Sequence, residues 1–406
     1  MNDYHRLTSD QLAALAGGAG DVSAIAELNA SRVSIHLLLL VHIVRSWLGE
    51  PAERDTAVAV LAACQDADPD RIARLIGDPM VGAWLSRTSR EKSRPGEFLQ
   101  LGNLAAAAAV ESGRGCRVTG WAHRGRMVLP TLGTAVLDDE ASGPVRIDTS
   151  GGLTVTSASG VATALVEGVT WWPLRRLRAR HGGQECSVRL EDASPYRDGY
   201  HAPPSERLDD AEAAYWQEQF DRAWQLICRY LPERATEIAL GLRAVVPLAD
   251  MRDRSSRSAT ARESVGAMGV SRPASAEDFA VTIVHEFAHS KLSAVIDVEP
   301  LYRPGGTERH HAPWKKDKRP TSGLFQGVFA FLHVAEAWRR LAAEPDLAEV
   351  ACAQFTELRE QVSVAYRSLA ASRELTVAGA EFVEVLGTSL RRLLDAPVTP
   401  GRAGPC

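Results

Sequence analysis

The sequence predicts an α+β fold: a helical N-terminal region, a β-rich middle region, and a helical C-terminal region built around a metal-binding helix. Three observations carry this expectation. Residues 1–113 place apolar side chains at three- and four-residue spacings. Residues 114–207 are rich in Val, Thr and Gly, in short alternating runs separated by turns. Residues 208–395 return to helical periodicity and contain His285-Glu286-Phe287-Ala288-His289. The tail, residues 396–406, holds three prolines and two glycines and is expected to be disordered.

In the first region, Thr8 with Gln11 three residues on forms a capping box. Residues 22–48 carry Ile25, Leu28, Val33, Leu37, Leu40 and Val44 as one helix, which Gly49 and Pro51 stop. Ala105–Ala109 has high helix propensity and packs closely. In the middle region, 118–121, 145–147, 153–156 and 186–190 read as strands. Trp171-Trp172-Pro173 precedes Arg175, Arg176, Arg178 and Arg180, which form either a solvated strand edge or a substrate-contacting surface. Asp209–Leu231 is helical, with Trp216, Phe220, Trp224 and Ile227 on one stripe. Ile238–Leu248 reads as a strand, 251–264 as an arginine-rich loop and 263–270 as another strand. From Ser275 onward the chain is helical, apart from a Pro/Gly stretch between Pro300 and Gly323.

Composition bounds the function. The chain has 406 residues, 46 basic against 51 acidic, and a net charge of −5. A general nucleic-acid binder needs a cationic surplus, so nucleic acid is not an expected partner. A core of this size needs no disulfides. The six cysteines contain no CxxC pair, which excludes a zinc ribbon or thioredoxin-like site and fits a reduced, cytoplasmic protein. The N-terminus lacks a signal-peptide pattern. The longest apolar run, Val33–Val44, is broken by Ser34, His36 and His42. It is shorter than the roughly 20 residues a membrane span needs, so a buried helix and no membrane are expected.

The chemistry rests on the H-E-x-x-H segment. Ser275 and Asp278 cap its helix, and Phe279, Ile283, Phe287, Val295 and Ile296 supply buried positions. His285 and His289 are one turn apart, so both imidazoles can reach one metal ion. The bland alternative is two surface histidines on an amphipathic helix. A third protein ligand is needed. The metzincin extension is absent, since Leu292 and Val295 stand at its Gly and His positions. Glu308 follows His289 after eighteen residues, but in non-helical sequence. His333 lies on a stripe with Gln326, Ala330 and Ala337, on a helix whose Gly327 permits close approach. It reads as the third ligand or as a core histidine bonded to a carbonyl. Glu336 is the alternative ligand or a supporting partner. His310 and His311 read as loop residues. Motif logic alone gives a zincin-like C-terminal region and a zinc metallopeptidase, with Glu286 as general base on zinc-bound water.

The run continues through Ser290-Lys291-Leu292, Asp297 and Pro300-Leu301-Tyr302. It then reaches Ala312-Pro313-Trp314-Lys315, Asp317, Arg319-Pro320 and Gly323-Leu324, and ends in Gly327-Val328-Phe329-Ala330. Over residues 275–345 this resembles the HExxH peptide-modification family found beside small ribosomal peptides in bacterial gene clusters. The resemblance implies an Fe(II)- and 2-oxoglutarate-dependent peptide β-hydroxylase acting, with O₂, on a ribosomal precursor peptide. Three protein ligands would leave three positions on iron, two for the keto acid and one for O₂. The distal carboxylate of the keto acid needs a cation: Arg319 first, Lys291 second. Arg319 could instead pair with Asp317 within its loop. Glu286 would then orient water, a ligand or the peptide. Some relatives carry a histidine nearer position 331, where this chain has Phe331.

Overall fold

A computed structural model describes residues 5–18, 21–90, 95–137, 142–157, 159–160, 162–250 and 257–398. The protein is mixed helix and sheet, consistent with an α+β fold. The expected disorder at 399–406 and the first half of the loop, 251–256, lie outside the described residues.

The chain opens with α1 (Ser9–Gly17) and α2 (Val22–Arg45). The capping box forms: the Gln11 amide donates to Thr8 Oγ1 at 3.1 Å, and the Thr8 amide donates to Gln11 Oε1 at 3.0 Å. Asp21 caps α2 by accepting from Ser23 and Ala24. Then come α3 (Pro51–Ala67), α4 (Pro69–Ile76), α5 (Pro79–Thr88), α6 (Pro95–Phe98) and α7 (Gln100–Glu111). Proline begins α3, α4 and α5, where its missing N–H would have no partner anyway. Helix α2 departs from the buried helix expected of it. Its length and composition would suit a membrane span, and Leu37, Leu38 and Val41 are exposed, while Ile25, Leu28 and Ile43 are buried.

The middle strands are β1 (Arg117–Ala122), β2 (Arg126–Leu129), β3 (Gly133–Val136), β4 (Gly143–Asp148), β5 (Thr154–Thr156), β6 (Ala162–Ala164) and β7 (Trp171–Pro173). They form two antiparallel sheets, ordered β1-β4-β5-β6 and β2-β3-β7. Helix α7 closes on them through a buried polar clamp. Asn103 donates to the Trp121 and Val128 carbonyls at 3.0 Å each and accepts from the Trp121 amide at 2.8 Å. Gly102 permits this approach, since a Cβ there would lie 1.8 Å from the Thr119 carbonyl oxygen.

Next come β8 (Arg175–His181), β9 (Gln184–Leu190), α8 (Asp210–Tyr230), α9 (Pro232–Gly241), β10 (Ala244–Leu248), β11 (Ser258–Ala259) and β12 (Ala267–Ser271). The five strands form one sheet, ordered β11-β12-β10-β9-β8. Strand β10 is parallel to both β9 and β12, while β8 and β11 run antiparallel at the edges. Thus β8 and β9, which the sequence places within 114–207, hydrogen-bond into the sheet of the following region. The expected strand at 238–248 divides: Pro232 starts α9, which ends at Gly241, and only Ala244–Leu248 is extended. Of the arginine run, Arg175 bonds Asp192 and Asp210 at 2.8 Å each, whereas Arg176, Arg178 and Arg180 are exposed.

The remainder is α10 (Ala276–Val298), the short hairpin β13 (Arg309–His310) and β14 (Arg319–Pro320), then α11 (Thr321–Leu341), α12 (Ala348–Ala370) and α13 (Val377–Asp395). Two main hydrophobic cores result. One joins α1, the start of α2 and the five-stranded sheet to α8–α13; the other joins the end of α2 and α3–α7 to β1–β5. Helix α2 bridges them.

Two stability predictions follow from this packing. Gly102→Ala would lower unfolding free energy by about 1–3 kcal/mol or more, because its Cβ meets rigid backbone; urea unfolding measures this. Glu191 is pushed up to about 7 by burial and by the Asp78 carboxylate, against the pull of Arg189. The folded state therefore holds a proton that the unfolded chain releases near its ordinary carboxylate value, so this contribution to stability falls as pH rises to about 7 and is flat above. Glu191→Gln would raise Tm at pH 8, and its advantage would vanish by pH 4.

Candidate metal centre

Helix α10 is buried along most of its length. Ser275 caps it, accepting from the Asp278 amide at 3.2 Å. Phe279 packs edge-on against Trp216 and near Phe220, and Phe287 sits over Gly241. Ser290 accepts from the Gly266 amide at 2.7 Å, tying the helix to the loop before β12. These contacts leave His285 and His289 on the one partly open face.

The two Nε2 atoms converge to 3.1 Å, with the rings at 86°. An ion about 2.1 Å from each nitrogen would see them at about 95°, an angle that both tetrahedral and octahedral ions accept. His289 Nδ1 is 2.9 Å from Gln326 Oε1. The amide oxygen can only accept, so His289 carries its proton on Nδ1 and turns the Nε2 lone pair outward. Gln326 is anchored in turn by donating to Ser293 Oγ at 3.2 Å. Burial and the neighbouring His289 pull His285 down to about 3, which keeps it in the neutral form that binds metal.

Glu286 points to the sheet edge. Thr260 Oγ1 donates to its Oε2 at 3.1 Å, and its Oε1 stands 4.0 Å from His285 Nε2. Burial raises its carboxyl, against the charge of His289 and hydrogen bonds from Ser258 and Thr260. It is placed to bond a group held by the histidines. The other wall is aromatic: Phe331 lies 4.9 Å from the His285 ring, and Trp314 lies 4.6 Å from Phe331. Gly327 makes room for the Trp314 indole, 2.5 Å from where a Cβ would stand, rather than for another helix.

The other expected residues lie elsewhere. His333 is the carbonyl-bonded core histidine: its Nδ1 donates to the Phe329 carbonyl at 2.8 Å, and it lines a separate cavity with Arg234 and Glu336. The reason is helix geometry, since α11 meets the pair through Gln326 and Phe331 and carries His333 past it. Glu336 is occupied by Arg339 and Arg340, whose hydrogen bonds outweigh the effect of its burial and hold it low. Lys291 is buried in an ion pair with Glu237, 2.9 Å away, which turns it from any ligand at the histidines. Glu308 bonds Ser372 and the Arg373 amide. His310 bonds Thr321. Arg319 is exposed on β14, the hairpin that also carries Trp314, and makes no ion pair with Asp317 or any other described residue. Among the described residues no set of three His, Cys, Asp or Glu side chains gathers around one ion position. Sequence reasoning missed Gln326 and Phe331 as neighbours of the pair; a polar Gln within an apolar stripe was the available signal.

His285→Ala and His289→Ala would each abolish stoichiometric Mn(II) or Zn(II) binding, and Gln326→Leu would weaken it about 10- to 100-fold. His333→Ala would leave the affinity unchanged. Metal titration followed by calorimetry checks all four.

No family model matches the chain, and no curated protein matches it.

Proposed function

We propose that the protein is a metal-dependent peptide-modifying enzyme, with Fe(II)- and 2-oxoglutarate-dependent β-hydroxylation of a ribosomal precursor peptide as its reaction. The observation that carries the metal is the convergence of two histidine Nε2 atoms at 3.1 Å, one of them set in its tautomer by Gln326. The resemblance over 275–345 supports the choice of reaction. When bound, iron would couple O₂, the oxidant, to two oxidations: one oxygen atom would pass to the keto acid as it becomes succinate and CO₂, and the other would replace C–H by C–OH.

The chain's own residues would do the rest. His285 and His289 hold the ion. Phe331 and Trp314 keep water from one side and offer an apolar face to a side chain being oxidised. Glu286, held by Thr260 and Ser258, accepts a hydrogen bond from the peptide or from bound water. Of the two candidate cations, Arg319 makes no ion pair among the described residues and would meet the distal carboxylate, whereas Lys291 is committed to Glu237.

A second reading has its own support. Glu286 sits beside β11, an antiparallel edge strand on which an extended peptide could align, and its raised carboxyl suits a general base. That is the arrangement of a zincin-like metallopeptidase.

One reaction separates the two. The Fe(II)-loaded protein, a candidate ribosomal precursor peptide, 2-oxoglutarate and air should yield a peptide heavier by one oxygen, with succinate formed in step. Arg319→Ala should raise the 2-oxoglutarate requirement about tenfold or more. Shorter peptides formed with zinc and without O₂ would establish the peptidase instead.

A further inference from the structure

A second cavity, of about 390 Å³, opens between α2, α4, β8, β9 and the residue before β10. Five arginines line it: Arg32, Arg74, Arg176, Arg189 and Arg243. Two carboxylates line the cavity, Asp78 and Glu111, and a third, Glu191, stands 3.6 Å from Arg189 Nε, so at least two positive charges are in excess. Both lining carboxylates are already engaged. Asp78 caps α5, accepting from the Met80 amide at 2.7 Å, and pairs with Arg189 at 2.5 Å. Glu111 accepts from the Thr131 hydroxyl. Arg74, Arg176 and Arg243 make no ion pair among the described residues.

Arg32, Arg189 and Arg243 are built into the fold, while Arg74 and Arg176 are exposed at the mouth. Arg32 and Arg189 are each 8% exposed, and the Nε of each is buried without a hydrogen-bond partner. Arg32 is fixed by donating to the Val265 carbonyl and to Asn29 Oδ1, both at 2.7 Å. Gly266, at φ +89°, lets Arg32 and Arg243 come together: a Cβ there would lie 2.5 Å from Arg32 Nη1 and 3.4 Å from Arg243 Cγ. Burial lowers Arg32 to about 10, and Arg243 pushes the same way; Arg176 and Arg243 are likewise lowered by burial and by Arg189. Gathering guanidinium groups this way costs folding energy unless an anion meets them. Planar guanidinium forks match phosphate oxygens in pairs.

We propose that this cavity is a binding site for a diphosphate group, whose multiple negative charge near neutral pH meets the excess of arginines. The site is distinct from the histidine pair and does not rest on the reaction proposed for it.

Calorimetry and thermal melts on the full chain, with pyrophosphate, inorganic phosphate, ADP and citrate at about 0.15 M salt, test the proposal. Pyrophosphate should bind one-to-one, at least about tenfold more tightly than phosphate or citrate, and raise Tm. The double variant Arg176→Gln, Arg243→Gln should lose at least about tenfold in affinity. Its Tm without ligand should be equal or higher, because it relieves repulsion; arginines of merely structural value would give a lower one. Arg222→Gln, on the exposed face of α8, should bind as the parent does. ADP binding as tightly as pyrophosphate would assign a nucleoside-borne diphosphate, and weaker ADP binding a free one. No response to about 5 mM pyrophosphate, equal binding of citrate, or full binding by the double variant would overturn the proposal.

Discussion

The burial of helix α10 is the constraint from which the rest of the candidate metal centre follows. Its Phe279 face meets the α8 aromatics, its Phe287 face meets Gly241 of α9, Ser290 is bonded to the loop before β12, and His289 reaches Gln326 of α11. A helix held on that many sides has one register and one rotation. That is what brings two imidazole nitrogens to a common point and sends Glu286 to the sheet edge. Removing any one partner would cost more in the alignment of the histidines than in overall stability, because an ion site tolerates far less displacement than a hydrophobic core.

Much of this was legible in the residues alone. The His285/His289 spacing, the Ser275 cap and the Thr8–Gln11 box are local, and local rules predict them. Which residue of α11 would stand beside the pair was not legible. Gln326 and His333 share a stripe of α11 and look equivalent from periodicity, yet they are two turns apart. Only the crossing of α10 and α11 decides which turn meets the pair, and that crossing depends on residues far away in sequence. Lys291 is a parallel case. A helical wheel places it about 200° from His289. Nothing near it in sequence announces Glu237, its partner 54 residues earlier. The split of 238–248 into helix end and strand shows the same limit on a smaller scale, since an apolar run fits either state.

Charge shows how average properties conceal local ones. The chain carries a net charge of −5, yet it gathers five arginines around one cavity. Other arginines are neutralised individually: buried Asp192 serves both Arg175 and Arg207. The contrast between these paired arginines and the unpaired ones near Gly266 emerges only once β8 and β9 are seen to belong to the five-stranded sheet, which brings Arg176 and Arg189 beside α2.

The Lys291–Glu237 pair acts as a key in a keyway. It lies in the core, two residues beyond His289, and bonds both carboxylate oxygens, at 2.9 and 3.1 Å. Sliding α10 along its axis would strand an ammonium and a carboxylate in apolar surroundings. The helix therefore resists any shift along its axis. Were an ion held there, adjustment to its radius would fall to the χ angles of His285 and His289, with Gln326 and Phe331 as the two stops.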